Sequence, residues 1–460
     1  VFYRQHGVHM VLKRQIGLAT AVLVIVADMI GTGIFMTTGN VLGMTGSAPV
    51  VMALWIVGGC IAVAGALCYA ELATTWPDVG GEYVYLKKTF GFLPAFLTGW
   101  VSLVVGFAAP VATGSLLLVQ YVNRFLHAAS VVPGQTMLLD DVWLQKTAAV
   151  MIIVFFGCLH IVGVKKGSYV QNVLTVIKIV IVTALIGLGL YAADFGNIGR
   201  LTATYSVPES GVSGFAVMGL ALLVVMFAYS GWNGACYIAG EVRNPERNLP
   251  RAMLWGTLLT MCLYLLLNFV FLLAAPGQEL MGRDEVAAIA AGFLFTPAVS
   301  NFLTLGIAVI LLSAVSVQLM IGPRVCYAMA QDRMLFQWLA ALHPRYGTPW
   351  LAIIFQMVLA IIYVLLGSAM TLVIYMGFAL SVFPVMAVIG MMYMRFKQPG
   401  LPRPYRVPLY PYVPLLYIGL SVTMMAAALM TWTSTSLFSI GVLLAGIPVY
   451  FLWRFFVKQR

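Results

Sequence analysis

The chain alternates long apolar runs with short polar connectors. Twelve runs stand out, at residues 16–44, 48–74, 93–122, 147–163, 168–192, 213–239, 252–275, 293–329, 350–367, 370–393, 412–433 and 436–456. Each is near or above the roughly 20 residues that a helix needs to cross hydrocarbon. Lipid offers no partners to backbone N–H and C=O groups, so runs of this length are predicted as helices; barrel strands would be shorter and alternating. The pattern predicts an all-α polytopic membrane protein with twelve transmembrane helices and no soluble domain between them.

Positive charge then orients the spans. Twenty Lys and Arg residues fall on the side of the termini, and only Arg124, Lys146, Arg200 and Arg283 fall on the other. Cytoplasmic loops carry this excess, so both terminal segments, 1–15 and 457–460, are expected in the cytoplasm. The same bias explains the formal net charge of +11 without invoking nucleic acid, since the basic residues are scattered over many short loops. Only 8% of residues are charged, against about 25% in a soluble domain.

Two runs are interrupted. The first, "VIVADMIGTGIFMTTGN" at 24–40, places Asp28, Gly31, Thr32 and Gly33 inside an apolar stretch. The sixth breaks at "FAYSGWNGA", residues 227–235. Gly31 and Gly231 occupy corresponding places in two five-helix blocks. Paired Gly-interrupted segments point to a transporter of inverted repeats with its site at the bilayer midplane. An unwound turn frees N–H groups that attract a carboxylate and C=O groups that attract a cation. Two such breaks side by side suit a zwitterion, an α-amino acid. Glycines in membrane helices also serve plain close packing, but the pairing and the polar cluster at each break favour a site.

One charge lies deep in a run. Lys178, in "YVQNVLTVIKIVIVTALIG", is ten residues in from Ser168, about 15 Å at helical rise. An intramembrane Lys costs about 2.5–3.5 kcal/mol on insertion scales, which makes it a functional candidate. Asp28 shares a face with the first break, three residues before Gly31. It is expected to pair with Lys178, to hold a substrate ammonium, or to carry a proton.

"DMIGTGIF", "YAELATTWPDVGGEYVYL", "FAYSGWNGACYIAGEVRNPERNLPRA" and "GPRVCYAMAQDRMLF" together resemble the amino acid–polyamine–organocation superfamily, and within it prokaryotic members of the L-type amino acid transporter family. The resemblance covers essentially the whole chain. It implies a LeuT-type fold: a first inverted repeat over 16–192, a second over 213–393, and two further helices over 412–456. It places the substrate carboxylate on the backbone of Thr32 and Gly33. The amine falls on the carbonyls of Met29, Phe227 and Ser230. Phe227 matches the aromatic that closes over the substrate, and Trp232 and Asn233, with Tyr229, match residues around the side-chain pocket. Lys178 matches the position where sodium-coupled relatives hold a sodium ion, with Ser313 and Ser316 as its expected partners on the eighth span. Asp28 departs from the family, where many relatives have a small uncharged residue.

The resemblance therefore implies a sodium-independent secondary transporter of L-α-amino acids, most simply an exchanger of neutral ones, working by alternating access. Proton symport and a cationic substrate remain open because of Asp28; an amino acid sensor with a transporter fold is a further alternative, disfavoured by short termini. No enzyme motif appears: the "PDVGGEYVY" loop lacks the Walker spacing, and no zinc motif or nucleophile elbow is present. No cofactor or metal is expected. Glu71, Glu241, Arg243, Arg324 and Asp332 read as boundary charges and salt bridges. The six cysteines lie in or beside apolar runs and read as buried hydrophobes. The connector "NRFLHAASVVPGQTMLLDDVW" has no cysteine, so no disulfide-linked heavy subunit is expected. The expected location is a prokaryotic plasma membrane, the bacterial inner membrane.

Overall fold

The computed structural model describes residues 12–129, 140–207, 213–367 and 369–458. The expected terminal segments fall only partly within them. Among the described residues the chain is helical, with two isolated main-chain bridges and no β-strand. The first run forms α1 (Leu18–Met29) and α2 (Gly33–Thr45), bent by 43° at the break. The second run is α3 (Ala48–Thr75), and the connector after it folds into a short helix, α4 (Glu82–Phe90). The third run comprises α5 (Phe92–Val101), a π-helical turn at Ser102–Gly106 and α6 (Ala108–Ala129). Then follow α7 (Val142–Ile161), α8 (Val164–Ala192) and the broken sixth run, α9 (Gly214–Ala228) and α10 (Gly234–Tyr237).

The second half continues with α11 (Pro245–Ala274), the short α12 (Gly277–Leu280) and α13 (Val286–Leu294), and the eighth run as α14 (Pro297–Ile321) and α15 (Pro323–Gln331). The last elements are α16 (Trp350–Leu366), α17 (Ala369–Lys397), α18 (Tyr412–Thr431) and α19 (Thr433–Lys458). Boundaries follow local chemistry. α11 opens on Pro245 and α14 on Pro297, where a missing N–H costs nothing because the first turn has no acceptor for it. Pro323 divides α14 from α15 because it has no N–H for the ladder.

Eight helical stretches among the described residues are long and apolar enough to cross a membrane, or nine if the bent α1–α2 pair is one span. The chain is a multi-pass membrane protein. The sixth run falls short as a single helix because its break leaves α9 only 15 residues.

The broken helices sit in the middle. α1 packs against α8, α11 and α14; α9 packs against α2, α3 and α18. The termini share one end of the bundle. There Gln15 and Ile16 both donate through their N–H to the Glu241 carbonyl, at 2.8 and 2.9 Å, and the Arg243 N–H returns a bond to Ile16 at 2.8 Å. At the same end the Trp453 indole donates to the Arg333 carbonyl at 2.9 Å.

Candidate functional site

Each break is built by what its residues cannot do. α1 stops at Met29, and the N–H groups of Gly31 and Thr32 donate to no backbone carbonyl among the described residues. Gly33 starts α2, where the first N–H groups of a helix lack intrahelical acceptors. A Cβ on Gly33 would lie 2.7 Å from the Ala228 Cα, so the two broken helices meet at a contact only glycine permits. In the second break Gly231 has φ +100° and faces Asp28; a Cβ there would come within 2.9 Å of the Asp28 Cγ.

One residue clasps both breaks. The Tyr264 hydroxyl, on α11, lies 3.0 Å from the Ala228 carbonyl and within hydrogen-bond reach of the Met29 carbonyl. The Met29 carbonyl expected to take an amine is therefore already engaged. The Phe227 carbonyl likewise accepts from the Ser230 hydroxyl at 2.7 Å. Phe227 is 46% exposed and Ser230 is exposed, whereas Met29 is buried. Asp28, Gly31, Thr32, Gly231 and Asn233 are half-buried. These partly accessible residues lie where the two breaks meet.

The remaining pocket aromatics are placed differently. Tyr229 is fully buried and turns into the core, where its hydroxyl donates to the Trp55 carbonyl at 3.0 Å and its ring packs against Trp55 and Tyr264. Trp232 is 4% exposed, edge-on to Tyr69 with centroids 4.8 Å apart. Both act as packing at the break, since the chain turn at Gly231 redirects their side chains.

Lys178 is fully buried on α8, and its ammonium donates to the carbonyls of Ala27 and Ile30 at 2.9 and 2.6 Å. It thus satisfies the orphan acceptors at the end of α1. Its expected partners on the eighth span lie elsewhere. The Ser313 hydroxyl accepts from Gln171 at 3.2 Å, and Ser316 is 3.1 Å from the His160 Nε2. Lys178 and Asp28 feel each other's charge but make no direct salt bridge. The Asp28 Oδ1 instead accepts from the Gln318 amide of α14 at 2.6 Å. Its Oδ2 has no partner among the described residues and is not enclosed.

Beneath the second break lies a carboxyl that reading the sequence passed over. Glu82 opens α4, is 6% exposed, and accepts from Asn233 Nδ2 at 2.7 Å, Tyr69 at 2.9 Å and Thr98 at 3.4 Å. Burial pushes the Glu82 carboxyl up to about 7, while the three hydrogen bonds pull it down. The signal was present in "GGEYVY", but an acid in a connector reads as solvated. Tyr264 and Gln318 carried no such signal.

Of the boundary charges, Glu71, Glu241, Arg324 and Asp332 form salt bridges, whereas the Arg243 guanidinium donates to the Gln15 carbonyl at 2.9 and 3.1 Å. The Arg324 guanidinium forks onto Glu241 at 2.8 and 3.2 Å, both residues buried. Lys87 bonds Asp332 at 2.6 Å, and Glu71 takes Arg395 together with the Val407 N–H. Together with the main-chain ties from Gln15 and Ile16 to Glu241 and from Arg243 to Ile16, they hold this end of the bundle together. Among the described residues no group of three or more His, Cys, Asp or Glu could hold a metal ion.

The family model described as amino acid permease matches residues 16–451. The chain is similar to the serine/threonine exchanger SteT of Bacillus subtilis, 32% identical over 96% of this chain and 97% of that protein. It is also 32% identical to the b(0,+)-type amino acid transporter 1 of Mus musculus, covering 97% of this chain and 89% of the other. The human large neutral amino acids transporter small subunit 2 is 30% identical, with 96% and 80% covered. The family consists of transporters, not enzymes, and the chain belongs to the amino acid permease family.

Proposed function

We propose that the protein is a sodium-independent exchanger of L-α-amino acids working by alternating access. Twelve spans form two inverted repeats, 16–192 and 213–393, followed by 412–456. The observation that carries this reading is the meeting of two helix breaks, with free N–H groups on one and a half-exposed polar turn on the other. The carboxylate sits on the N–H groups of Gly31 to Gly33, and the amine lies toward Ser230 and the second lone pair of the Met29 carbonyl, the Phe227 carbonyl being reached only if it gives up a bond from Ser230. Lys178 holds the α1 carbonyls that a sodium ion would otherwise take, a fixed cation that supports independence from sodium. The names of the relatives, a serine/threonine exchanger among them, support exchange and a neutral substrate. The salt-bridged end is cytoplasmic by its positive charge. The bacterial inner membrane is its location, without a disulfide-linked subunit.

The test is flux through purified protein in liposomes preloaded with amino acid. Efflux of labelled threonine should require external amino acid and persist when choline replaces sodium. Equal efflux into empty buffer, or collapse in choline, would overturn the reading.

The free Oδ2 of Asp28 supports a second reading, proton symport, in which this carboxyl carries the coupled proton. Asp28→Asn keeps the acceptor for Gln318 but removes the charge. It should then impair uptake or change its pH dependence severalfold; wild-type rates at every pH from 5 to 8 would remove Asp28 from the mechanism.

A further inference from the structure

The junction of the two breaks has an uneven supply of donors and acceptors. Around the second break most side-chain donors are consumed inside the protein. Gln318 spends an amide N–H on Asp28, and Tyr264 spends its hydroxyl on main-chain carbonyls. Asn233 spends Nδ2 on Glu82 and, at 3.4 Å, on the Tyr237 hydroxyl. Beside the Thr32 hydroxyl, what remains open is acceptor oxygen: Asp28 Oδ2 and Asn233 Oδ1 have no hydrogen-bond partner among the described residues and neither is enclosed.

An amide has two chemically opposite ends, and its orientation follows from its partners. A carboxylate only accepts. Glu82 lies directly beneath Asn233 and therefore holds the NH2 end down and the carbonyl end outward. Glu82 is itself held in place from three elements. Tyr69 reaches it from α3 and Thr98 from α5, with Asn233 above. The titratable groups facing it are Tyr69 of α3, Tyr85 of its own helix, Cys236 and Tyr237 of α10, and Tyr417 of α18. All are neutral, and no cation competes for the carboxylate.

We infer that Glu82 is a positioning residue that sets the polarity of the pocket, so that Asn233 offers its carbonyl to the substrate and the transporter selects amino acids whose side chain donates a hydrogen bond. A hydroxyl would satisfy Asn233 Oδ1; an isosteric methyl would desolvate it without replacing the bond with water. Sites built around a substrate hydroxyl discriminate strongly against the analogue that lacks it. The inference rests on the amino acid transport reading and goes further by naming the substrate class.

The isosteric pairs threonine/valine and serine/alanine test it. Exchange of labelled threonine is challenged with each unlabelled member in liposomes. In the wild type the hydroxyl member should compete about tenfold better or more. In Glu82→Gln, whose amide can present N–H to Asn233 and turn it over, the ratio should fall toward one. Glu82→Asp, which keeps an acceptor-only group, should retain the preference. Acidification from pH 8 to 6 protonates Glu82, which then can donate to Asn233. The ratio should therefore fall in the wild type and stay flat in Glu82→Gln, a response that a merely structural role would not give. Should Glu82→Gln fail to fold, Asn233→Leu serves instead and should abolish the preference.

Absence of a hydroxyl preference in the wild type overturns the inference, as does its survival in Glu82→Gln or Asn233→Leu. Labelled leucine that exchanges while threonine does not also overturns it and leaves transport standing. Failure of every labelled amino acid to exchange overturns the transport reading instead.

Discussion

Lys178→Met is expected to cut amino acid exchange by about a hundredfold or more while leaving the protein folded. The ammonium makes two short charge-assisted bonds to the Ala27 and Ile30 carbonyls, each worth about 1.5–3 kcal/mol. Their loss leaves the end of α1 without donors, and the half-helix loses the anchor that aligns the break. Stability should suffer less than transport. Removing a buried ammonium also removes the cost of burying it, and methionine fills the channel left by the lysine stem. Thermal unfolding in detergent, measured beside exchange in liposomes, separates the two. Exchange within a few-fold of wild type would show that the α1 break keeps its shape without Lys178.

The second large effect concerns the salt-bridged end. Arg324→Met leaves Glu241 buried without its guanidinium, and breaking a buried pair from one side costs about 3–5 kcal/mol. We expect a clear fall in the melting temperature. Glu241→Gln with Arg324→Met should recover most of it, because the double change leaves no unpaired charge. If the single variant melts like the wild type, the pair is replaceable by water and the end is less tightly closed than its 2% and 0% exposure implies. If the double variant melts as low as the single one, the loss comes from packing.

Much of this architecture was legible along the chain. The breaks announced themselves because glycine in an apolar run has few other reasons to recur at matching places in two halves. Lys178 was legible because nothing but function justifies an ammonium ten residues into a span. Its partners were not, because they are main-chain carbonyls, which have no sequence signature. Ser313 and Ser316 looked suitable by residue type, but Gln171 and His160 already hold them. Tyr229 and Trp232 were placed in the pocket by proximity to the break. Where the helix unwinds, the 3.6-residue rule no longer says which way a side chain turns, and both point into the core. Glu82 was hidden for the opposite reason: a connector between spans is normally wet, and only the folded chain shows that this one is tucked beneath the second break.

The ties between Gln15, Ile16 and the Glu241–Arg243 segment have a consequence for how the protein tolerates change. Three main-chain bonds hold the start of the first span to the end of the sixth, and the Arg243 guanidinium adds two more onto the Gln15 carbonyl, at 3.1 and 2.9 Å. Main-chain bonds do not depend on which side chain a residue carries, so position 15 can drift without loosening the fastening. Ile16 and Val242 cannot drift in the same way, because they are 2% and 0% exposed and packed in the core. The fastening is therefore written partly into the spacing of the chain and partly into two apolar positions and one arginine.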